Sequence, residues 1–179
     1  MAPLDIIGID ASPAPSGRTA VAVQAVLDAA GRSGGVPTLV RLAEVDTSEV
    51  VARIAGAAAV VLGSPVYRAS MCADLKALLD AVPRSTDDEV GPLAGKPVAV
   101  LMTGSTEHHF LAISHLRDIL AGFFGAWVVP PGLYVSHAGF DENGRLHSED
   151  HAATQGAALV ALARAAEEHP ELKAVRPQI

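Results

Sequence analysis

A chain of 179 residues that is half apolar, 18% charged and formally −7 at neutral pH is long enough to bury a core as one domain over residues 1–179. Its acidity argues against nucleic acid and anionic membranes as partners, since both need basic patches, and no run of roughly 18 apolar residues is present to span a bilayer. The one cysteine, Cys72, excludes an internal disulfide, and with no charged segment ahead of an apolar one to form a signal peptide, a cytoplasmic protein is expected.

Residues 4–10 read as a first strand. The turn after it, Ser12-Pro13-Ala14-Pro15-Ser16-Gly17-Arg18-Thr19, is rich in hydroxyls and leads into a helix whose inner face is Ala20, Val23, Leu27 and Ala30, ending at Gly31. A strand, a hydroxyl-bearing turn and a helix N-terminus together make an anion site: first-turn amides lack intrahelical partners and the helix dipole is positive there. Arg18 can add a bidentate, charge-assisted contact. No Gly-x-Gly-x-x-Gly and no Gly-Lys-Ser/Thr occurs, so a phosphate monoester is expected rather than a dinucleotide or a triphosphate. The same residues also suit a proline-stiffened turn with Ser16 as a simple cap.

A second strand over 36–42 has Pro37 at its start, which fits a sheet edge. A short helix from Thr47 to Gly56, capped by Asp46, leads into the most informative stretch. There the apolar residues 57–62 form a strand buried on both faces and then meet a loop, Gly63-Ser64-Pro65-Val66-Tyr67-Arg68, at the strand's carboxyl end. Ser70 is the expected N-cap of a third helix with Leu75, Leu78, Leu79 and Val82 inward and Pro83 as its stop. Cys72 in its first turn reads as a small hydrophobe. Asp87, Asp88 and Glu89 read as solvated surface.

Residues 98–102 make a fourth strand ending in Thr103-Gly104-Ser105-Thr106, and a helix over about 110–124 places Ile113, Leu116, Leu120 and Phe123 inward. A fifth strand over 127–135 is broken by Pro130-Pro131-Gly132, as suits an outer position. Asn143-Gly144 signals a small hairpin. The last helix covers about 149–168 with Ala152, Gly156, Leu159, Ala163 and Ala166 on one face, and the tail from Pro170 is expected to be loose or docked on a partner. Five strands alternating with five helices give an α/β sandwich of three layers around a five-stranded parallel sheet. In the order 2-1-3-4-5, the loops after strands one, three and four meet at the switch point and suit a flat cofactor with a terminal phosphate.

Those three loops resemble the flavodoxin-like NAD(P)H-dependent FMN reductases. The resemblance rests on Gly63-Ser64-Pro65-Val66-Tyr67 followed by Leu75-Lys76 and Leu79-Asp80, and on the Ser12 to Thr19 turn, which departs from the family in having Ala14 where an arginine is common. Thr103-Gly104-Ser105-Thr106 with His109 resembles the loop of the subgroup that serves alkanesulfonate and methanesulfonate monooxygenases. The likeness runs to about residue 138. It implies FMN held by Ser12, Ser16, Arg18, Thr19, Pro65, Val66, Tyr67, Arg68, Thr103, Gly104, Ser105 and His109, with NADPH or NADH as hydride donor. It also implies a homodimer or homotetramer, a flavin-dependent monooxygenase as recipient, and a π-bulge in helix four near His115, which the periodicity does not reveal. A helical His of this kind also packs as an ordinary surface residue.

The chemistry of hydride transfer belongs to the flavin and nicotinamide, so no acid–base residue is assigned and His115 is at most a modulator. No metal is expected, because His108, His109 and His115 lack the i, i+4 spacing of a helical pair. With aromatics at 4%, the ring is not boxed between two side chains. Two alternatives stand beside a reductase that releases reduced FMN: a reductase that keeps FMN bound and reduces quinones or azo compounds, and a flavodoxin-like electron carrier. Arg68 and Arg84 are loose candidates for reading the 2′-phosphate of NADPH.

Overall fold

The computed structural model describes residues 3–14 and 17–171. Its elements are β1 (Leu4–Asp10), α1 (Arg18–Arg32), β2 (Gly35–Arg41), α2 (Thr47–Gly56), β3 (Ala59–Tyr67), β4 (Ser70–Met71), α3 (Ala73–Ala81), β5 (Pro97–Gly104), α4 (Ala112–Asp118), β6 (Trp127–Val128), β7 (Leu133–Ser136) and α5 (Asp150–Glu168). The main sheet runs β2-β1-β3-β5, with β6 and β7 both parallel on the outer edge of β5. This is the flavodoxin-like order expected from the sequence, with β2 at one edge.

The central strands are apolar without a break because both faces are covered. Alternate residues sort the core into two clusters. Ile7, Ile9, Val60, Leu62, Val98, Val100 and Met102 face α2, α3 and α4, where Val50, Ile54, Leu75, Leu78 and Leu116 meet them. Leu4, Ile6, Ala59, Val61, Ala99 and Leu101 face α1 and α5, where Val23, Val26, Leu27, Leu159 and Val160 meet them. On this second side the helices approach closely: a Cβ on Gly156 would lie 2.5 Å from the Val26 carbonyl oxygen.

The register aligns the carboxyl ends that matter. Asp10 sits opposite Gly63, Gly63 opposite Leu101, and Pro65 opposite Thr103. Strand β3 therefore runs further than the 57–62 stretch, through Gly63, Ser64 and Pro65 to Tyr67, and is not a loop from Gly63. Pairing with β1 stops at Gly63 and pairing with β4 begins only at Val66, so Pro65, which has no N–H, falls in the gap between the two ladders and is tolerated there.

Ser70 is not a helix cap. It turns back with Met71 as β4, antiparallel to Val66 and Tyr67, around a two-residue turn in which Arg68 (φ 53°) and Ala69 (φ 62°) are both left-handed. Cys72, buried, takes the N-cap position of α3 instead. Asp46 does occupy the N-cap of α2 but makes no side-chain cap bond.

The fourth long helix is not continuous over 110–124. A 3₁₀ turn (Glu107–His109) precedes α4, and α4 passes into a π-helical turn (Ile119–Phe123). The wide turn begins four residues after His115, which is exposed. It shifts the helical phase, so Phe124 is buried while Phe123, expected inward, is 43% exposed. The fifth strand is two pieces rather than one, separated by Pro130, Pro131 and Gly132, and with the short β4 this brings the sheet to seven strand segments rather than five. The tail beyond residue 171 and Ser16 lie outside the described residues. No helix among the described residues is long and apolar enough to cross a membrane.

Candidate functional site

The turn after β1 is built on its own side chains. Buried Asp10 accepts the Ser12 amide N–H at 2.9 Å through Oδ1, and Ser12 Oγ accepts the Ala14 amide at 3.2 Å. Burial raises the Asp10 carboxyl above the usual carboxylate range against the opposing Ser12 hydrogen bond, and its Oδ2 has no partner among the described residues. Gly17 stands at the N-cap of α1 without a side chain to bond the first-turn amides. Those amides and the positive end of a helix of 15 residues form an anion seat.

Two polar ties register this turn against the neighbouring strand ends. Thr19 Oγ1 and Thr103 Oγ1 are 2.7 Å apart and buried, joining α1 to the end of β5. Cys72 donates its thiol to the Ala11 carbonyl at 3.1 Å, and its amide N–H goes to Ser64 Oγ at 2.9 Å, joining the β3–β4 hairpin to the first turn. Cys72 thus joins two of the loops as well as filling space.

The third loop is held from β7. Tyr134 donates its hydroxyl to the Thr106 carbonyl at 2.5 Å, and Ser136 donates to Glu107 Oε1. Burial, and then the nearby Glu107 charge, push the Tyr134 phenol above its ordinary value. A Cβ on Gly104 would lie only 2.1 Å from that hydroxyl, so any larger residue there must displace the Tyr134 phenol or the loop it holds.

Together the three loops border an open cleft of about 760 Å³, within the range of small-molecule sites. Of the residues singled out in the sequence, Ser12, Arg18, Thr19, Pro65, Val66, Tyr67, Thr103, Gly104 and Ser105 line it. Arg68 does not: it sits at the tip of the β3–β4 turn. His109 is half-buried in the 3₁₀ turn, outside the lining, and its Nδ1 has no partner among the described residues. His115 is also away from the cleft.

A fourth wall was not anticipated. His137, Asp141, Glu142, Asn143 and Gly144 come from the excursion after β7, which is closed by an antiparallel bridge between Phe140 and Leu146. The Asn143-Gly144 signal marked the turn but carried nothing to say where it lands. The Asp141 carboxyl lies below its ordinary range, chiefly because it accepts the Arg145 amide, with burial opposing and the Asn143 amide adding to the effect.

The fold and the cleft define an α/β protein with an open, polar-lined cleft at the carboxyl edge of its parallel sheet. The family model described as "NADPH-dependent FMN reductase" matches residues 4–141, and the chain belongs to that family. It is similar to "NADH-dependent FMN reductase SfnF" of Pseudomonas putida, 41% identical over 83 residues, which is 46% of this chain and 41% of that one. It is also similar to "FMN reductase (NADPH)" of Pseudomonas aeruginosa, 36% identical over 107 residues, 60% of this chain and 54% of that one. The matches thus span about half the length of these curated relatives. A crystal structure of apo NADH:FMN oxidoreductase (EMOB) superposes with a TM-score of 0.72 at 22% identity, over 91% of this chain and 89% of that one, a likeness of fold.

Proposed function

We propose that this chain is an NAD(P)H-dependent FMN reductase that passes reduced FMN to a flavin-dependent monooxygenase. The observation that carries the reading is the cleft itself, where an anion seat and two small-residue loops converge on one rim of the sheet. The phosphate rests on the first turn of α1 with Ser12, Arg18 and Thr19; Ser16, expected from the sequence to join them, lies outside the described residues. The ring lies between Pro65, Val66 and Tyr67 on one side and Thr103, Gly104 and Ser105 on the other. Arg68 and His109 stand near the rim, outside the contact set.

FMN supplies the hydride acceptor, and the protein's share is to hold and orient it. Backbone amides near Gly104 and Val66 are the available donors to the ring edge, where charge develops on reduction. Among the described lining residues Tyr67 is the one aromatic, and it is 52% exposed. A ring stacked on at most one side leaves a face for nicotinamide, which favours a reductase over an electron carrier that encloses its flavin.

Release of reduced FMN to a monooxygenase is supported by the resemblance of the 103–106 loop to the sulfonate-associated subgroup. Both nicotinamides are named among the relatives, so the donor is NADH or NADPH. A homodimer or homotetramer in the cytoplasm, with residues 1–179 as one domain, completes the reading.

The test is steady-state oxidation of NADH and NADPH by the purified chain with and without added FMN. A colourless protein that turns over only when FMN is supplied supports a substrate flavin. A yellow protein active on quinones without added FMN favours bound FMN, and no oxidation under either condition overturns the reductase reading.

A further inference from the structure

Arg18 is the one guanidinium or ammonium group among the described residues lining the cleft, and it is not left free. One of its terminal nitrogens lies 2.6 Å from His137 Nε2, and its guanidinium carbon sits 5.7 Å from the centre of the Phe140 ring. An arginine N–H only donates, so in this contact Nε2 is the acceptor. Phe140 is buried, which makes it a fixed surface for the guanidinium.

The clamp has a competitor to exclude. Asp141 and Glu142 line the same cleft, and a mobile arginine would swing to a carboxylate as readily as to a ligand. Asp141 accepts the Asn143 and Arg145 amides through Oδ1, which fixes its carboxylate within its own turn, and His137 with Phe140 holds Arg18 by one hydrogen bond and one ring face. Four of the five guanidinium N–H groups remain for an anion. A guanidinium ordered in advance binds without the entropy loss of ordering it on contact.

We propose that His137 and Phe140 pre-organise Arg18 as the phosphate-reading group, so that the cleft's discrimination of FMN from riboflavin depends on a histidine 119 positions away in the chain. His137 is a positioning residue, acting through Arg18. The inference rests on the cleft being the FMN site.

The test measures FMN and riboflavin affinity by flavin fluorescence for the unmodified chain and for Arg18→Ala, His137→Ala, His137→Gln and Arg18→Ala/His137→Ala, with circular dichroism confirming the fold of each. Arg18→Ala is expected to weaken FMN roughly tenfold or more and leave riboflavin unchanged. His137→Ala should weaken FMN alone, by about three- to tenfold. His137→Gln, whose Oε1 still accepts, should restore most of that loss. In the Arg18→Ala background, removing His137 should change nothing further.

An unchanged FMN-to-riboflavin ratio in His137→Ala, or a His137 loss that adds in full to that of Arg18→Ala, overturns the inference while the FMN site stands. If Arg18→Ala leaves the ratio untouched, or the chain binds neither flavin, the cleft reading fails and takes this inference with it.

Discussion

Gly104→Ala should be severe for so small a change. The new Cβ would fall 2.1 Å from the Tyr134 hydroxyl, 3.0 Å from Cζ and 3.2 Å from Cε2. A carbon and an oxygen rest at roughly 3.5 Å, so the phenol must retreat by more than 1 Å or the loop must lift. Either movement breaks the bond from Tyr134 to the Thr106 carbonyl, worth about 1 kcal/mol net. Overpacking in a fixed environment adds about 1–3 kcal/mol, for a total destabilisation of about 2–4 kcal/mol. Urea unfolding of the single variants Gly104→Ala and Tyr134→Phe and of their double variant resolves the mechanism. Tyr134→Phe alone should cost about 1 kcal/mol, and in the double variant it should relieve part of the alanine's penalty, because the clashing oxygen is gone. Stability of Gly104→Ala within about 0.5 kcal/mol of the unmodified chain, or a double variant showing the plain sum of both losses, would refute the steric reasoning.

Other outcomes rest on single contacts. Ser64→Ala strands the buried Cys72 amide N–H and should cost about 1–3 kcal/mol in chemical denaturation. Arg68→Asn with Ala69→Gly places residues suited to left-handed backbone where φ is 53° and 62°; the melting temperature should rise by about 2–4 °C, for roughly 1 kcal/mol gained. Burial raises the Asp10 carboxyl, so the native state binds its proton more tightly than the unfolded chain does. The stability Asp10 contributes is therefore full below its unfolded value of 3.8 and is lost as pH rises through its folded value. Asp10→Asn keeps an acceptor for the Ser12 amide and should raise the melting temperature at pH 7, with the gain shrinking toward pH 3 in a series of thermal melts.

The sheet order and the three converging loops were legible because they depend on local signals: unbroken apolar strands, small and polar residues at their carboxyl ends, and helices with clear faces. The β3–β4 hairpin was not, because Arg68 and Ala69 are poor turn formers and Ser70 carries a stronger capping signal. Nothing in the pattern from Ile113 to Leu120 marks the π-helical turn; one wide turn alters only the residues beyond it, exchanging Phe123 for Phe124 in the core. The strand expected to end at Gly63 continues because pairing with β5 persists on one side after β1 has stopped, a tertiary fact absent from residues 57–67 themselves. The fourth wall was hidden for a similar reason. His137 and Asp141 look like ordinary surface residues until the excursion folds back over the start of α1.

The most direct measurement is a crystal structure of the chain with FMN bound. The phosphate should sit on the first-turn amides of α1 within hydrogen-bonding reach of Arg18, with the ring between the loops of Pro65 to Tyr67 and Thr103 to Ser105. Flavin density at any other place on the molecule, or a phosphate turned away from α1, would contradict it.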